Sequence, residues 1–262
     1  NKKYTSFHIN EIKKLILKNN NFNQISKILN IPISSLRNLC KKNELFPLKK
    51  FQRLNINHNY FNYVDTPEKA YILGYFFADG CLEHKRVKRI RFSSAISDFE
   101  ILKFIRDEIS PDTKITFSQD KRINLKIKNV LVKSKQENIS FGIVSKNIVD
   151  ILNIDFNISF DKTYSQNKFN FDKIPISYYR DFIRGFLDGD GSIDTSVRFV
   201  SMNHEFLLQI QNILKTIYNI NCKFKILKDR NNIGLLRTYS NEQFYKQITS
   251  TQPSCRITWH CT

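Results

Sequence analysis

The chain has 262 residues, with 42 Lys+Arg against 24 Asp+Glu, a formal net charge of +18 and a hydrophobic fraction of 41%. That length and apolar content are enough for a large core and exclude wholesale disorder. No apolar run approaches the ~20 residues of a membrane span, and the charge asks for an anionic partner, most commonly a phosphate backbone.

The five cysteines (Cys40, Cys81, Cys222, Cys255, Cys261) form neither an even framework nor a C-x-x-C pair. This argues against structural zinc and for a reducing compartment. No apolar leader opens the sequence, and Asn, Lys and Ile are over-used as in an AT-rich genome. The expected location is therefore intracellular, in a cytoplasm or organelle matrix. Residues 1–50 carry 11 basic and 2 acidic side chains, half of the net charge in a fifth of the length, which marks them as a separate module.

Within that module, residues 9–18 place Ile12, Leu15 and Ile16 on one helical face. Residues 22–29 read as a second helix, Asn30-Ile31-Pro32 as a turn, and Ser34 or Ser35 as the cap of a third helix. Helix, tight turn, helix is the pattern whose second helix enters a DNA major groove. Ser35, Arg37, Asn38 and Lys41 are the groove-facing candidates. The module is assigned to 1–46 and a linker to 47–66.

The dominant signal is self-similarity at a shift of 111. YILGYFFADGC (71–81) aligns with FIRGFLDGDGS (182–192), matching Gly74 with Gly185, Asp79 with Asp190 and Gly80 with Gly191. Thr66-Pro67 supplies a cap and a proline at the first helical position, Ser177 caps the second copy, and each helix stops at Asp-Gly. Gly74/Ala78 and Gly185/Gly189 are small residues four apart, a face on which two helices can approach closely. If these faces meet, Asp79 and Asp190 lie side by side. Two such carboxylates repel unless a cation lies between them, and Mg²⁺ is the natural occupant.

After each copy comes a strand (86–94; 197–201), then a helix (98–109; 203–219). Residues 122–128 alternate, with Arg122, Asn124, Lys126 and Lys128 against Ile123, Leu125 and Ile127. Residues 222–228 begin likewise, with Lys223 and Lys225 on the polar side. Such alternation makes sheets with one buried and one wet, cationic face, of a width a major groove accepts. Each half reads helix, strands, helix, strands, helix, an α+β organisation.

At these residues the chain resembles the LAGLIDADG homing endonucleases. The nine-residue motif maps onto ILGYFFADG (72–80) and IRGFLDGDG (183–191), and the resemblance spans about residues 60–248. It implies a duplicated αββαββα fold with pseudo-twofold symmetry, repeats at 67–165 and 166–248, and an atypical tail at 249–262. It further implies a monomer that cuts double-stranded DNA at a long non-palindromic site by metal-assisted hydrolysis, leaving short 3′ overhangs. Asp79 and Asp190 are then catalytic and hold Mg²⁺, with Mn²⁺ able to substitute. Lys162 is the basic catalytic candidate by position, its second-half equivalent falling past 248. Phe77 stands where an acid is common in the family, while Asp188 keeps the acid. The face readers are Arg89, Arg91, Arg122, Asn124, Lys126, Lys128, Arg198, Lys223, Lys225 and Arg237. The N-terminal module resembles those appended to free-standing or intron-borne members. The alternatives are an intron RNA maturase, with intron RNA as partner, or an inactive DNA-binding regulator of the same fold.

Overall fold

The structure, a computed structural model, describes residues 4–18, 20–45, 54–119, 125–127, 130–132, 137–162 and 164–249. It divides into two compact units, Asn1–Arg53 and Leu54–Thr262.

The first unit holds three helices, α1 (Ser6–Leu17), α2 (Phe22–Leu29) and α3 (Ile33–Lys42). They close around Ile12, Ile16, Ile25, Ile31, Leu36 and Cys40. α2 starts in a capping box, Asn21 accepting from the Gln24 backbone at 3.0 Å while Gln24 accepts from the Asn21 backbone at 2.8 Å. It ends at Asn30, which is left-handed at φ 51°, a conformation Asn tolerates better than most residues. The expected serine cap of α3 is not made. Pro32 occupies the N-cap and the helix is already running at Ile33, so Ser34 and Ser35 both lie inside it.

The second unit begins α4 (Pro67–Asp79), β1 (Gly80–Glu83), β2 (Arg89–Ala95), α5 (Phe99–Ile109) and β3 (Thr116–Gln119). A small hairpin, β4 (Leu125–Ile127) with β5 (Val130–Val132), precedes β6 (Glu137–Val144) and α6 (Lys146–Ile154). The second half runs α7 (Tyr179–Asp190), β7 (Gly191–Ile193), β8 (Val197–Ser201), α8 (His204–Thr216), β9 (Cys222–Leu227), β10 (Ile233–Thr238) and α9 (Asn241–Phe244). Two antiparallel four-stranded sheets result, ordered β1-β2-β6-β3 and β7-β8-β10-β9. With the hairpin set aside, both halves have the same strand order, which is the duplication expected from the repeat.

In this second unit three expectations change. Of the alternating segment 122–128, the described part, Leu125–Ile127, is an arm of the separate hairpin, where Lys126 pairs with Leu131. The counterpart of edge strand β9 is instead β3, which has little alternating charge to announce it. Ser177 does not cap α7: Ile176–Tyr178 form a 3-10 turn after Pro175, and Tyr178 holds the N-cap without a side-chain bond. The segment from Leu54 to Thr66, expected to belong to a linker, is part of the second unit, with Tyr60, Phe61 and Val64 buried in its core. The Thr66 cap is present, its hydroxyl accepting from the Lys69 backbone at 3.2 Å.

Candidate active centre and nucleic-acid face

α4 and α7 pack backbone to backbone. A Cβ on Gly74 would lie 2.0 Å from the Phe182 carbonyl oxygen, and one on Gly185 would lie 2.0 Å from the Tyr71 carbonyl oxygen. The contacts are reciprocal, each glycine facing the residue that matches, at a shift of 111, its own counterpart's neighbour. At the next step a Cβ on Gly189 would come 2.3 Å from the Ala78 Cβ and 3.5 Å from Asp79 Oδ2. The small residues therefore bring the C-terminal ends of the helices together. Gly80 and Gly191 are extended rather than left-handed, at φ −78° and −106°. They turn each helix straight into an edge strand. Glycine is needed there because a Cβ would strike the Phe76 ring at 2.2 Å or the Leu187 side chain at 2.3 Å.

This geometry leaves Asp79 and Asp190 as the last residues of α4 and α7, half-buried and close enough that the charge of Asp79 is felt at Asp190. Burial raises both carboxyls, Asp190 to about 6, opposed by the charge of Lys162, and Asp79 further raises Asp190. Lys162 lies between the two halves of the chain, and its Nζ donates to Phe76 O at 3.2 Å and Ala78 O at 2.5 Å. Its own pKa falls to about 8 because burial outweighs the pull of Asp190 and Asp79. A cleft of about 240 Å³ beside them is lined by Phe77, Ala78, Lys162, Asp190, Ser201 and Asn203, among others. Burial penalises both acids, with a single lysine between them as counter-charge. That donor set suits a hard divalent cation whose remaining positions are filled by water and phosphate oxygens. Among the described residues no group of three or more His, Cys, Asp or Glu side chains forms a closed metal site.

The two acids have different surroundings behind them. One turn before Asp79 the buried Tyr75 hydroxyl faces Asp79, Ser94 and Asp98 without a well-formed hydrogen bond. Ser94 donates to Asp98. The matching position in α7 is Phe186, packed on Phe206 with ring centroids 4.8 Å apart. The departure at Phe77 is structural, since its ring lies 4.1 Å from that of Phe206 and 5.3 Å from that of Phe169. Its counterpart Asp188 receives a 2.6 Å bond from Tyr71, and burial raises it to about 6. Neither Tyr71 nor Tyr75 was singled out by the sequence pattern, although Tyr75 precedes Asp79 by one helical turn.

On the wet face of the second sheet, Lys223, Arg237 and Arg198 lie in one cross-strand row, with Lys225 beyond them. On the first sheet, Arg89 and Arg91 share the wet face with Ser93, Ser140, Thr116 and Ser118. Glu83 accepts from Arg89 Nε at 2.9 Å and pairs with Arg91 at 2.7 Å. Arg122, Asn124 and Lys128 lie outside the described residues, as do residues 250–262 with Cys255, His260 and Cys261. Lys126 is in β4, and its side chain is not described. In the first unit Arg37, Asn38 and Lys41 are exposed on α3, and Ser35 is half-buried.

Residues 177–248 match the model of the LAGLIDADG-like domain. No curated protein matches the sequence. Among solved structures, the homing endonuclease I-WcaI bound to its DNA recognition sequence is 16% identical, with a TM-score of 0.50 over 78% of this chain and 89% of that one. I-DmoI in complex with DNA and Mn is 15% identical, with a TM-score of 0.48 over 70% and 96%. Full-length DUF199/WhiA from Thermatoga maritima is 16% identical, with a TM-score of 0.47 over 74% and 60%. The likeness to I-WcaI is one of fold.

Proposed function

We propose that this chain, a member of the LAGLIDADG homing endonuclease family, is a site-specific endonuclease that hydrolyses both strands of a long, non-palindromic double-stranded DNA site. The observation that carries this reading is the pair Asp79 and Asp190. They stand at equivalent ends of two helices in van der Waals contact, with Lys162 beside them, and each runs directly into the edge strand of a sheet with a basic wet face. Carboxylates are disfavoured on a phosphate-binding surface unless a cation accompanies them.

Asp79 and Asp190 would hold the divalent ion, Mg²⁺ with Mn²⁺ as a substitute, which supplies Lewis acidity at a scissile phosphate. Lys162 adds positive charge where the reacting phosphate gains negative charge. Both acids belong to one chain, so a monomer suffices, and the two halves are free to read different sequences. Lys223, Lys225, Arg198 and Arg237 on one sheet and Arg89 and Arg91 on the other supply phosphate and base contacts. The three-helix unit, a helix-turn-helix in this reading, adds a further major-groove contact through Arg37, Asn38 and Lys41. The setting is a reducing intracellular compartment.

The test is cleavage of a randomised DNA library in Mg²⁺ and then Ca²⁺. Cutting at one non-palindromic site with short 3′ overhangs, in Mg²⁺ and not Ca²⁺, supports the proposal. Specific retention of intron RNA with no DNA cut would replace it with the maturase reading. Retention of one DNA site that is never cut would leave a binding regulator.

A further inference from the structure

The two sheets share a feature that the catalytic reading does not use. Four residues beyond each motif acid stands another carboxylate, Glu83 in the first half and Asp194 in the second, related by the same shift of 111. Each is ion-paired with an arginine on the wet face: Glu83 with Arg91 at 2.7 Å, and Asp194 with Arg198. The two arginines are themselves equivalent, for Arg91 lies opposite Cys81 and Arg198 opposite Ser192, each the second residue after its motif acid. The symmetry thus extends to a carboxylate–guanidinium couple beside each catalytic acid. Glu83 also holds Arg89, while Asp194 also accepts from Ser196 N at 3.3 Å and Thr195 Oγ1 at 3.1 Å.

Exposed pairs of this kind add little to stability. A carboxylate on a face meant for phosphates also weakens non-specific attraction. Its use must lie in what it recognises. In the major groove a G·C pair shows two acceptors, guanine N7 and O6, next to one donor, cytosine N4–H. A guanidinium set beside a carboxylate presents the complementary order, donors next to an acceptor.

We propose that Glu83–Arg91 and Asp194–Arg198 are specificity-determining couples, each reading one G·C base pair, one on either side of the cleavage position. This rests on the proposed reading of the sheet faces as the DNA interface. Each carboxylate stands four residues beyond a motif acid and each arginine is paired across the sheet with the second residue after that acid, so the two base pairs flank the centre of the site. In each, the arginine takes the guanine and the carboxylate the cytosine amino group.

The experiment is a binding selection, independent of cutting. The full chain, with Ca²⁺, is presented with a randomised duplex library, and the retained sequences are read. The expected profile has two central G·C positions, one per half-site, each preferred by about 5- to 150-fold. Arg91→Gln should shift the first-half position from guanine toward adenine and leave the second unchanged, and Arg198→Gln should do the converse. Glu83→Gln should relax the first position and tighten binding to unrelated DNA. A gained adenine preference cannot arise from a misfolded variant. A wild-type profile without the two G·C positions overturns the inference and leaves the endonuclease reading standing. So does a uniform loss of affinity with an unchanged profile, the mark of a phosphate clamp. Retention of no specific sequence overturns both.

Discussion

The Tyr71 hydroxyl reaches across the helix pair and donates a 2.6 Å hydrogen bond to Asp188. The bond joins two residues 117 positions apart and fastens α7 to α4 just above the motif acids. Asp188 is half-buried, and burial raises its carboxyl to about 6, against the pull of Tyr71 and Arg184. Tyr71 is therefore a partner whose removal leaves a desolvated acid with one bond fewer. Tyr71→Phe keeps the ring, which also lies 5.3 Å from the Arg184 guanidinium. It should lower stability by about 1–3 kcal/mol, read as a lower urea midpoint with unchanged slope. A midpoint equal to wild type would show that the bond is not formed in solution.

The glycines of the interface set a second expectation. At Gly185 a Cβ would meet the Tyr71 carbonyl oxygen at 2.0 Å, and at Gly74 the Phe182 carbonyl oxygen at the same distance. Backbone atoms of packed helices cannot rotate away as a side chain can. Gly185→Ala should cost about 3 kcal/mol or more. Gly142→Ala is the control, because on the first sheet its Cβ would meet the flexible Arg89 side chain at 3.1 Å. That change should stay within about 1 kcal/mol. Thermal melting of both variants separates the two cases, and equal losses would contradict the close helix contact.

Much of this interface was legible before the fold was. The repeated small residues and the terminal Asp-Gly mark both helices and their contact face, because close packing demands small residues at one helical spacing. Strands β8 and β9 were equally readable, since one wet face imposes period two. The first half misled for the same reason. Residues 122–128 carry the cleanest alternation there, yet their described part, Leu125–Ile127, is one arm of a small hairpin between β3 and β6 and not a strand of the four-stranded sheet. What joins distant residues left no local mark. The Glu83–Arg91 and Asp194–Arg198 couples depend on strand register, and Tyr71 with Asp188 on helix crossing. Lys162 was found through family resemblance, and its contact with Ala78 O only through the fold.

Burial also makes a pH prediction at the far end of α7. Asp181 is 2% exposed and ion-paired with Arg184 at 3.3 Å. Burial holds its carboxyl above the ordinary range, although Arg184 and Arg180 pull it down. A folded-state pKa above the unfolded one means the native state binds the proton more tightly. Stability from this group is therefore fully present below the unfolded pKa and is lost as pH rises through the folded one. Asp181→Asn, neutral throughout, should remove that contribution to the pH slope. Urea midpoints between pH 4 and 7 for the two proteins test it; parallel curves would show that the carboxyl is not perturbed.

The proposed metal-binding pair yields the sharpest expectation. Asp79 and Asp190 each end a helix, and the charge of Lys162 acts on both. Replacing either by Asn keeps the shape and removes the anionic oxygen a divalent ion needs. Asp79→Asn and Asp190→Asn should each lower double-strand cleavage by about 10²-fold or more, with DNA binding retained. Lys162→Met removes the charge but not the acids. Its loss should slow cutting with little change in affinity, because the ammonium is tied to the Phe76 and Ala78 carbonyls rather than displayed on a sheet face. Single-turnover cleavage beside gel-shift binding distinguishes these effects. Full cutting by either aspartate variant would mean that the two carboxylates hold the helix ends and not the metal.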